Sequence, residues 1–185
     1  MPPDQTQLPP AAPRLREAAV LVPVYRDEAG QLRLVLLRRS EFGVHGGQLA
    51  FPGGKQDPAD VSLLDTALRE AEEEVYLPRA SVQVLAELPV ISTLTTGYRV
   101  TPFLGRIERP AAWRWQTREV TEVLEVPVTE LLDPARHFTE QWQLEGWPQP
   151  ALVSFIRVGA YQLWGLSYRI VRNLLPRLTA GEWEV

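Results

Sequence analysis

The chain contains no cysteine. A disulfide framework, a thiolate metal site and a cysteine nucleophile are therefore excluded. Only two histidines are present, His45 and His137, too few for a multi-histidine zinc centre. No apolar run approaches the roughly eighteen residues of a transmembrane helix. Positive charge is scarce as well: 19 Lys and Arg stand against 23 Asp and Glu, a net charge of -4. A general electrostatic grip on nucleic acid is not expected, and neither is a membrane partner. Neither Gly-x-Gly-x-x-Gly nor a Walker P-loop with its lysine occurs, so Rossmann and kinase readings lack support. Any metal must be held by carboxylates, and hard oxygen ligands suit Mg²⁺ or Mn²⁺.

What is present is ordinary for a globular protein: 185 residues, 45% hydrophobic and 23% charged. That length fits about one domain with its own core. Residues 1–13 hold five prolines and no apolar periodicity, which predicts a flexible tail ahead of a single domain over 14–185. The tail lacks the charged start and apolar run of a signal peptide, so a cytoplasmic location is expected.

Glu17–Tyr25 and Leu32–Leu37 read as strands joined by Asp27-Glu28-Ala29-Gly30, a hairpin. A loop from Arg38 to Ala50 carries Gly43, Gly46 and Gly47, and Phe51-Pro52-Gly53-Gly54 follows. The clearest helix runs from Val61 to Val75, with Asp60 as its expected N-cap and Pro78 beyond its end. Further strands are predicted over Val82–Leu88, Arg99–Ile107 and Leu152–Val158. Short and final helices are predicted over Thr129–Leu132 and Ser167–Leu175, the latter stopping before Pro176. Without regular βαβ alternation, these imply one α/β domain with a mixed sheet between helices.

The informative stretch is Arg69-Glu70-Ala71-Glu72-Glu73-Glu74. At roughly 100° per residue, Leu64, Ala67, Leu68, Ala71 and Val75 form one apolar arc. Glu70 and Glu74 lie one turn apart and flank it. Glu73 is on an adjoining face, four residues from Arg69, which can pair with it and fix its rotamer. Two like charges at this spacing repel on a bare helix, and a divalent cation between them reverses that sign. Glu-rich faces are usually only solvated. Here, however, Gly53 and Gly54 precede the helix, letting backbone approach a ligand closely and offering free N–H groups.

These residues resemble the signature of the Nudix hydrolase family: a Gly, five residues, a Glu, seven residues, then Arg-Glu-aliphatic-x-Glu-Glu-x-Gly-aliphatic. Gly54 is followed after five residues by Asp60, and after eight more by Arg69-Glu70-Ala71-Glu72-Glu73-Glu74-Val75-Tyr76-Leu77. Asp60 replaces a Glu, one residue is inserted, and Tyr76 replaces a Gly. Upstream, the segment Leu36 to Gly54, with its His45-x-Gly47-Gln48-x-x-Phe51-Pro52-Gly53-Gly54 ending, looks like the motif of the coenzyme A pyrophosphatase branch. That branch usually has a Thr where Arg38 stands and an Arg near Gly43 or Val44. Thr96–Gly105 and Leu163-Trp164-Gly165 also look like that branch. The resemblance covers most of Ala18 to Leu175.

The resemblance implies a Nudix-type α/β/α sandwich with a mixed sheet. It implies an enzyme that uses Mg²⁺ or Mn²⁺ to hydrolyse the diphosphate linkage of coenzyme A or its derivatives, giving 3',5'-ADP and 4'-phosphopantetheine or its acyl form. Glu70 and Glu74 would bind the cations, Glu73 would be a further ligand, and Arg69 would orient Glu73. The general base would be one of these glutamates or a later carboxylate, with Glu119, Glu122 and Glu140 as candidates. Arg39, His45, Gly53 and Gly54 are candidate substrate contacts. Arg99, Arg106 and Arg157 are other available cations, and Trp113, Trp115, Trp142, Trp147, Trp164 and Trp183 are available for stacking. The partner is then a small molecule. The same chemistry on ADP-ribose, a dinucleotide or a damaged nucleotide is the alternative. A non-catalytic nucleotide sensor would be expected to lose the carboxylates that are present here.

Overall fold

A computed structural model describes residues 15–41, 46–93, 97–144 and 147–185. The proline-rich segment and His45 lie outside these.

Strand β1 (Arg16–Arg26) organises the molecule. It turns into β2 (Leu32–Arg39) as an antiparallel hairpin. The turn is closed by Asp27, whose carboxylate accepts from the N–H groups of Ala29 and Gln31 and from Arg33 Nε at 2.7 Å. β3 (Leu49–Ala50) pairs with β2, and β4 (Gly53–Lys55) pairs with β1. After helix α1 (Leu63–Val75) come β5 (Val82–Glu87), β6 (Ile91–Thr93) and β7 (Tyr98–Ile107). β7 lies parallel to β1, whereas β5 and β6 pair antiparallel with β7, so the sheet is mixed. β8 (Val120–Pro127) pairs with β2 and leads into α2 (Val128–Leu132). β9 (His137–Trp142), β10 (Ala151–Val158) and β11 (Tyr161–Trp164) form a separate three-stranded meander before α3 (Gly165–Thr179).

The alternation of strand side chains divides β1 between two cores. Ala19, Leu21 and Tyr25 pack with Val35, Leu37, Phe103 and the α1 residues Ala67, Ala71 and Val75. Ala18, Val20, Val22 and Val24 pack with Leu34, Leu36, Ile156, Leu163 and the α3 residues Ile170, Leu174 and Leu178. Helix α1 thus covers one face of the main sheet, and α3 with the meander covers the other. This is the expected sandwich. Among the described residues no helix is long and apolar enough to cross a membrane.

Helix α1 begins at Leu63 rather than Val61, and α3 at Gly165 rather than Ser167. The N-cap of α1 is Ser62, whose hydroxyl accepts from Asp65 N–H at 3.1 Å, not Asp60. α3 does not stop before Pro176 but continues through it to Thr179. Proline removes one helical N–H, but Leu174, Leu175 and Leu178 on either side of it are buried in the α3-side core, so packing holds the last turn in place.

Where β4 pairs with β1 at Gly53, a side chain has no room. A Cβ on Gly53 would lie 2.4 Å from the Ala19 carbonyl oxygen and 2.6 Å from Val20 Cα. Those are backbone atoms and cannot swing aside. Gly53→Ala is expected to lower unfolding stability by about 3 kcal/mol, the upper end for overpacking. Denaturant titration checks this, and an unchanged midpoint would show that the two strands separate freely there.

Candidate active site at the glycine turn and the acidic helix

The turn before α1 is built around Arg69. Its Nε and Nη2 donate to the two Asp60 carboxylate oxygens at 2.8 and 2.9 Å. Its Nη1 donates to Glu70 Oε1 at 2.9 Å and Glu73 Oε2 at 3.1 Å, and Nη2 also reaches the Lys55 carbonyl at 3.2 Å. The expected Arg69–Glu73 pair is therefore present as one contact in a larger set. Asp60 is displaced from capping because its carboxylate is fully engaged. It also accepts from Thr66 Oγ1 at 2.8 Å and Asp57 N–H at 2.9 Å, with only 3% of its side chain exposed. The Arg69 guanidinium holds the Asp60 carboxyl far below the usual carboxylate range, against the opposing effect of burial. The planar two-point match of guanidinium and carboxylate makes this the strongest polar contact of the turn.

Glu74 lies on the inner side of the same helix and is 2% exposed. Its Oε2 accepts from the Gly53 N–H at 2.9 Å, and Arg39 Nη1 is 3.7 Å from its Oε1. Burial pushes its carboxyl up to about 7; the Gly53 N–H and Arg39 oppose this, and the like charges of Glu70 and Glu119 add to it. Glu70 is also pushed up by burial, opposed by Arg69, with Glu73 and Glu119 adding repulsion. Gly54 is the wall of this site: a Cβ there would fall 2.5 Å from the Glu70 carboxyl carbon. Glu73 differs, with 59% of its side chain exposed.

The fold thus brings Arg39, Gly53, Gly54, Arg69, Glu70, Glu73 and Glu74 into one neighbourhood. Of the later carboxylates, Glu119 is the one whose backbone lies beside them: its N–H bonds the Gln116 carbonyl at 3.0 Å, and the Gln116 N–H bonds the Glu74 carbonyl at 2.9 Å. Glu122 accepts from Tyr161 OH at 2.6 Å on the α3 side of the sheet, and Glu140 accepts from Trp142 Nε1 at 3.2 Å on the meander. The spare cations are engaged elsewhere. Arg99 faces Glu17 at 3.7 Å, Arg106 donates to Gln83, and Arg157 stacks over Phe138 at 4.4 Å. Trp113 donates to Glu125 Oε1 at 2.7 Å, while Trp142 and Trp164 pack edge-to-face at 5.5 Å.

One contact had no signal in the sequence. The Gln116 N–H donates to the Glu74 carbonyl at 2.9 Å, so the connection before β8 satisfies an otherwise unpaired carbonyl in the last turn of α1. Ser40 N–H in turn donates to the Glu119 carbonyl at 2.8 Å.

The donor set suits a hard divalent cation: carboxylate oxygens on a sheltered face, beside backbone that glycine allows to approach. Among the described residues no three His, Asp or Glu side chains already converge as a ligand cage. Glu70 and Glu74 are the two positioned side by side, and Glu73 is turned outward by Arg69.

The Asp60–Arg69 lock has a pH signature. A carboxyl held below its unfolded value contributes stability that is complete above the ordinary aspartate range and is lost as pH falls through its folded value. Asp60→Asn is therefore expected to lower stability near neutral pH by about 3 kcal/mol, the lower end for breaking a buried pair. The gap from wild type should narrow as pH falls below about 3.9, the free aspartate value. Denaturant unfolding at pH 7 and in acid checks it, and a pH-independent gap would contradict the lock.

A NUDIX domain profile matches residues 15–147, from β1 through β9. The chain is 38% identical over 166 residues to the protein named Uncharacterized Nudix hydrolase NudL of Yersinia pestis (strain Pestoides F), covering 89% of this chain and 80% of that protein. Among solved structures, the Nudix hydrolase RenU of M. smegmatis superposes with a TM-score of 0.61 at 17% identity, covering 92% of this chain and 89% of that one. A MutT/nudix family protein from Enterococcus faecalis gives 0.62 at 21% identity, covering 97% of this chain and 68% of the other. At these identities the structural likeness speaks for the fold. The profile and the relative, each spanning well over half of the chain, establish that it belongs to the Nudix hydrolase family.

Proposed function

We propose that the protein hydrolyses the diphosphate linkage of coenzyme A or its derivatives with the help of Mg²⁺ or Mn²⁺, yielding 3',5'-ADP and 4'-phosphopantetheine or its acyl form. The observation that carries the hydrolytic reading is the Glu70–Glu74 pair, one turn apart, sheltered, and pressed against the Gly53-Gly54 turn. The coenzyme A reading is supported by the Leu36 to Gly54 motif.

The reaction adds one water across P–O–P: hydroxyl joins one phosphorus, and the bridging oxygen leaves with the other phosphate. When bound, divalent cations would neutralise the diphosphate oxygens and acidify water. Glu70 and Glu74 would hold them, with Glu73 as a further ligand. Arg69 keeps Glu70 and Glu73 in place from one side, and the Gly53 N–H fixes Glu74 from the other. Glu119 is exposed. Its N–H bonds the Gln116 carbonyl, the Gln116 N–H bonds the Glu74 carbonyl, and the Glu119 carbonyl accepts from Ser40 N–H beside Arg39. It therefore stands next to the carboxylate pair, and we assign it the task of taking the proton of the attacking water. Arg39, partly exposed beside Glu74, is placed to meet a phosphate oxygen.

Glu70→Gln and Glu74→Gln are each expected to lower turnover by about a hundredfold or more, several kcal/mol of transition-state stabilisation. The melting temperature of the metal-free proteins should hold or rise, because one like charge is removed. Metal-titrated rates with thermal unfolding decide this, and near-wild-type rates would remove the metal assignment.

The 3'-phosphate is the most distinctive charged handle of coenzyme A. One charge-assisted contact to it, about 1.5–3 kcal/mol, gives a kcat/KM preference of roughly ten- to a hundredfold over dephospho-coenzyme A. Coenzyme A, its dephospho form and ADP-ribose under one metal condition test it, with products identified by mass. Equal rates on the first two would mean the 3'-phosphate is not read, and faster ADP-ribose hydrolysis would favour the alternative substrate class.

A further inference from the structure

The departure of Tyr76 from the family signature is not used by the chemistry above. Tyr76 follows the last residue of α1 in the left-handed region, φ 50° and ψ 36°. Among the described residues it is the one non-glycine with positive φ. The signature glycine fits that conformation without penalty, whereas a bulky side chain there is an outlier held by its surroundings. The backbone needs the turn: it lets Leu77, only 1% exposed, fold back into the α1 core while its N–H reaches the Ala71 carbonyl at 3.3 Å. Glycine would serve that purpose equally well. Tyr76 is 47% exposed, so core packing does not account for its side chain.

The ring's contact is with Arg114, whose guanidinium carbon is 5.2 Å from the ring centroid. Arg114 lies between Trp113 and Trp115, which both pack against the α1-side core. Two residues later the Gln116 N–H caps Glu74, and the Gln116 carbonyl accepts from the N–H groups of Glu119 and Val120 at 3.0 and 2.9 Å. A short, continuous set of contacts therefore runs from the Tyr76 ring to Glu119. We propose that Tyr76 is a positioning residue, whose ring anchors Arg114 and so fixes the 108–119 connection where it delivers Glu119 to the carboxylate pair. This rests on the reading of Glu119 as the proton acceptor.

The test compares Tyr76→Gly, Tyr76→Phe and Glu119→Gln, alone and as the Tyr76→Gly/Glu119→Gln pair, on whichever substrate of the panel is turned over fastest. Tyr76→Gly restores the residue best suited to the backbone, so its melting temperature should hold or rise. Its kcat should nevertheless fall two- to fivefold at unchanged KM, the scale of one exposed cation–π contact. Hydrogen exchange in the metal-free protein should quicken at Gln116, Glu119 and Val120. Tyr76→Phe keeps the ring and should match wild type in both measurements. In the Glu119→Gln background, Tyr76→Gly should cost nothing more.

A wild-type kcat and exchange pattern in Tyr76→Gly, a Phe variant that behaves like Gly, or a loss that persists without Glu119 would each overturn the proposal. If Glu119→Gln itself turns over like wild type, the Glu119 reading falls and the positioning role falls with it. A loss in Glu119→Gln without one in Tyr76→Gly defeats the positioning role alone.

Discussion

Two carboxylates that repel one another, Glu70 and Glu74, are held side by side out of water, and much of the surrounding structure exists to keep them there. Burial is unfavourable for each charge, and their proximity adds to it. The fold offsets this from three directions. Arg69 reaches Glu70 along the helix surface, the Gly53 N–H meets Glu74 from below, and Arg39 approaches Glu74 from the end of β2. None of these fully offsets the burial, since both carboxyls are still pushed upward from their ordinary values. What remains is a sheltered carboxyl pair at the mouth of a glycine turn whose ionised form is disfavoured, and a cation held between the two would reverse that.

The same constraint explains why the turn is glycine twice over. Gly53 is fixed by the backbone of β1 and Gly54 by the Glu70 carboxylate, so the two positions exclude a side chain for different reasons. The first is a matter of folding, because the obstacle is main chain. The second is a matter of the site, because the obstacle is a side chain that could be pushed away, at the expense of its aim. A sequence shows both as the same residue.

Much of this is legible in the sequence. Val20-Leu21-Val22 and Leu34–Leu37 announce strands through composition, and α1 is visible through the spacing of Leu64, Ala67, Leu68, Ala71 and Val75. The acidic run places Glu70 and Glu74 on one face because their spacing is set by the helix alone. What escaped depended on long-range partners. β8 begins at Val120 beyond a tryptophan-bearing loop, and its pairing with β2 is fixed across some eighty residues of chain. β9 and β11 are short and half-buried, and they acquire their identity from β10. Asp60 reads as a cap because Asp is a good capping residue, and only the position of Arg69 shows that its carboxylate is committed elsewhere. Glu119 could not be separated from Glu122 and Glu140 in sequence, because what separates them is the face to which each strand or loop directs its side chain.

Two departures from the family signature, the shorter acidic residue and the extra residue before the arginine, make sense together. An aspartate reaches less far than a glutamate by one methylene, about 1.5 Å of carbon–carbon bond. An additional residue in the turn supplies slack of about 3.3–3.6 Å of extended chain, enough to bring the acidic backbone closer to the helix. The outcome is visible in the geometry: Asp60 meets Arg69 with both oxygens at 2.8 and 2.9 Å, while also accepting from Thr66 and Asp57. The shorter acid at the end of the longer turn thus reaches the Arg69 fork with both oxygens, and the same fork meets Glu70 and Glu73.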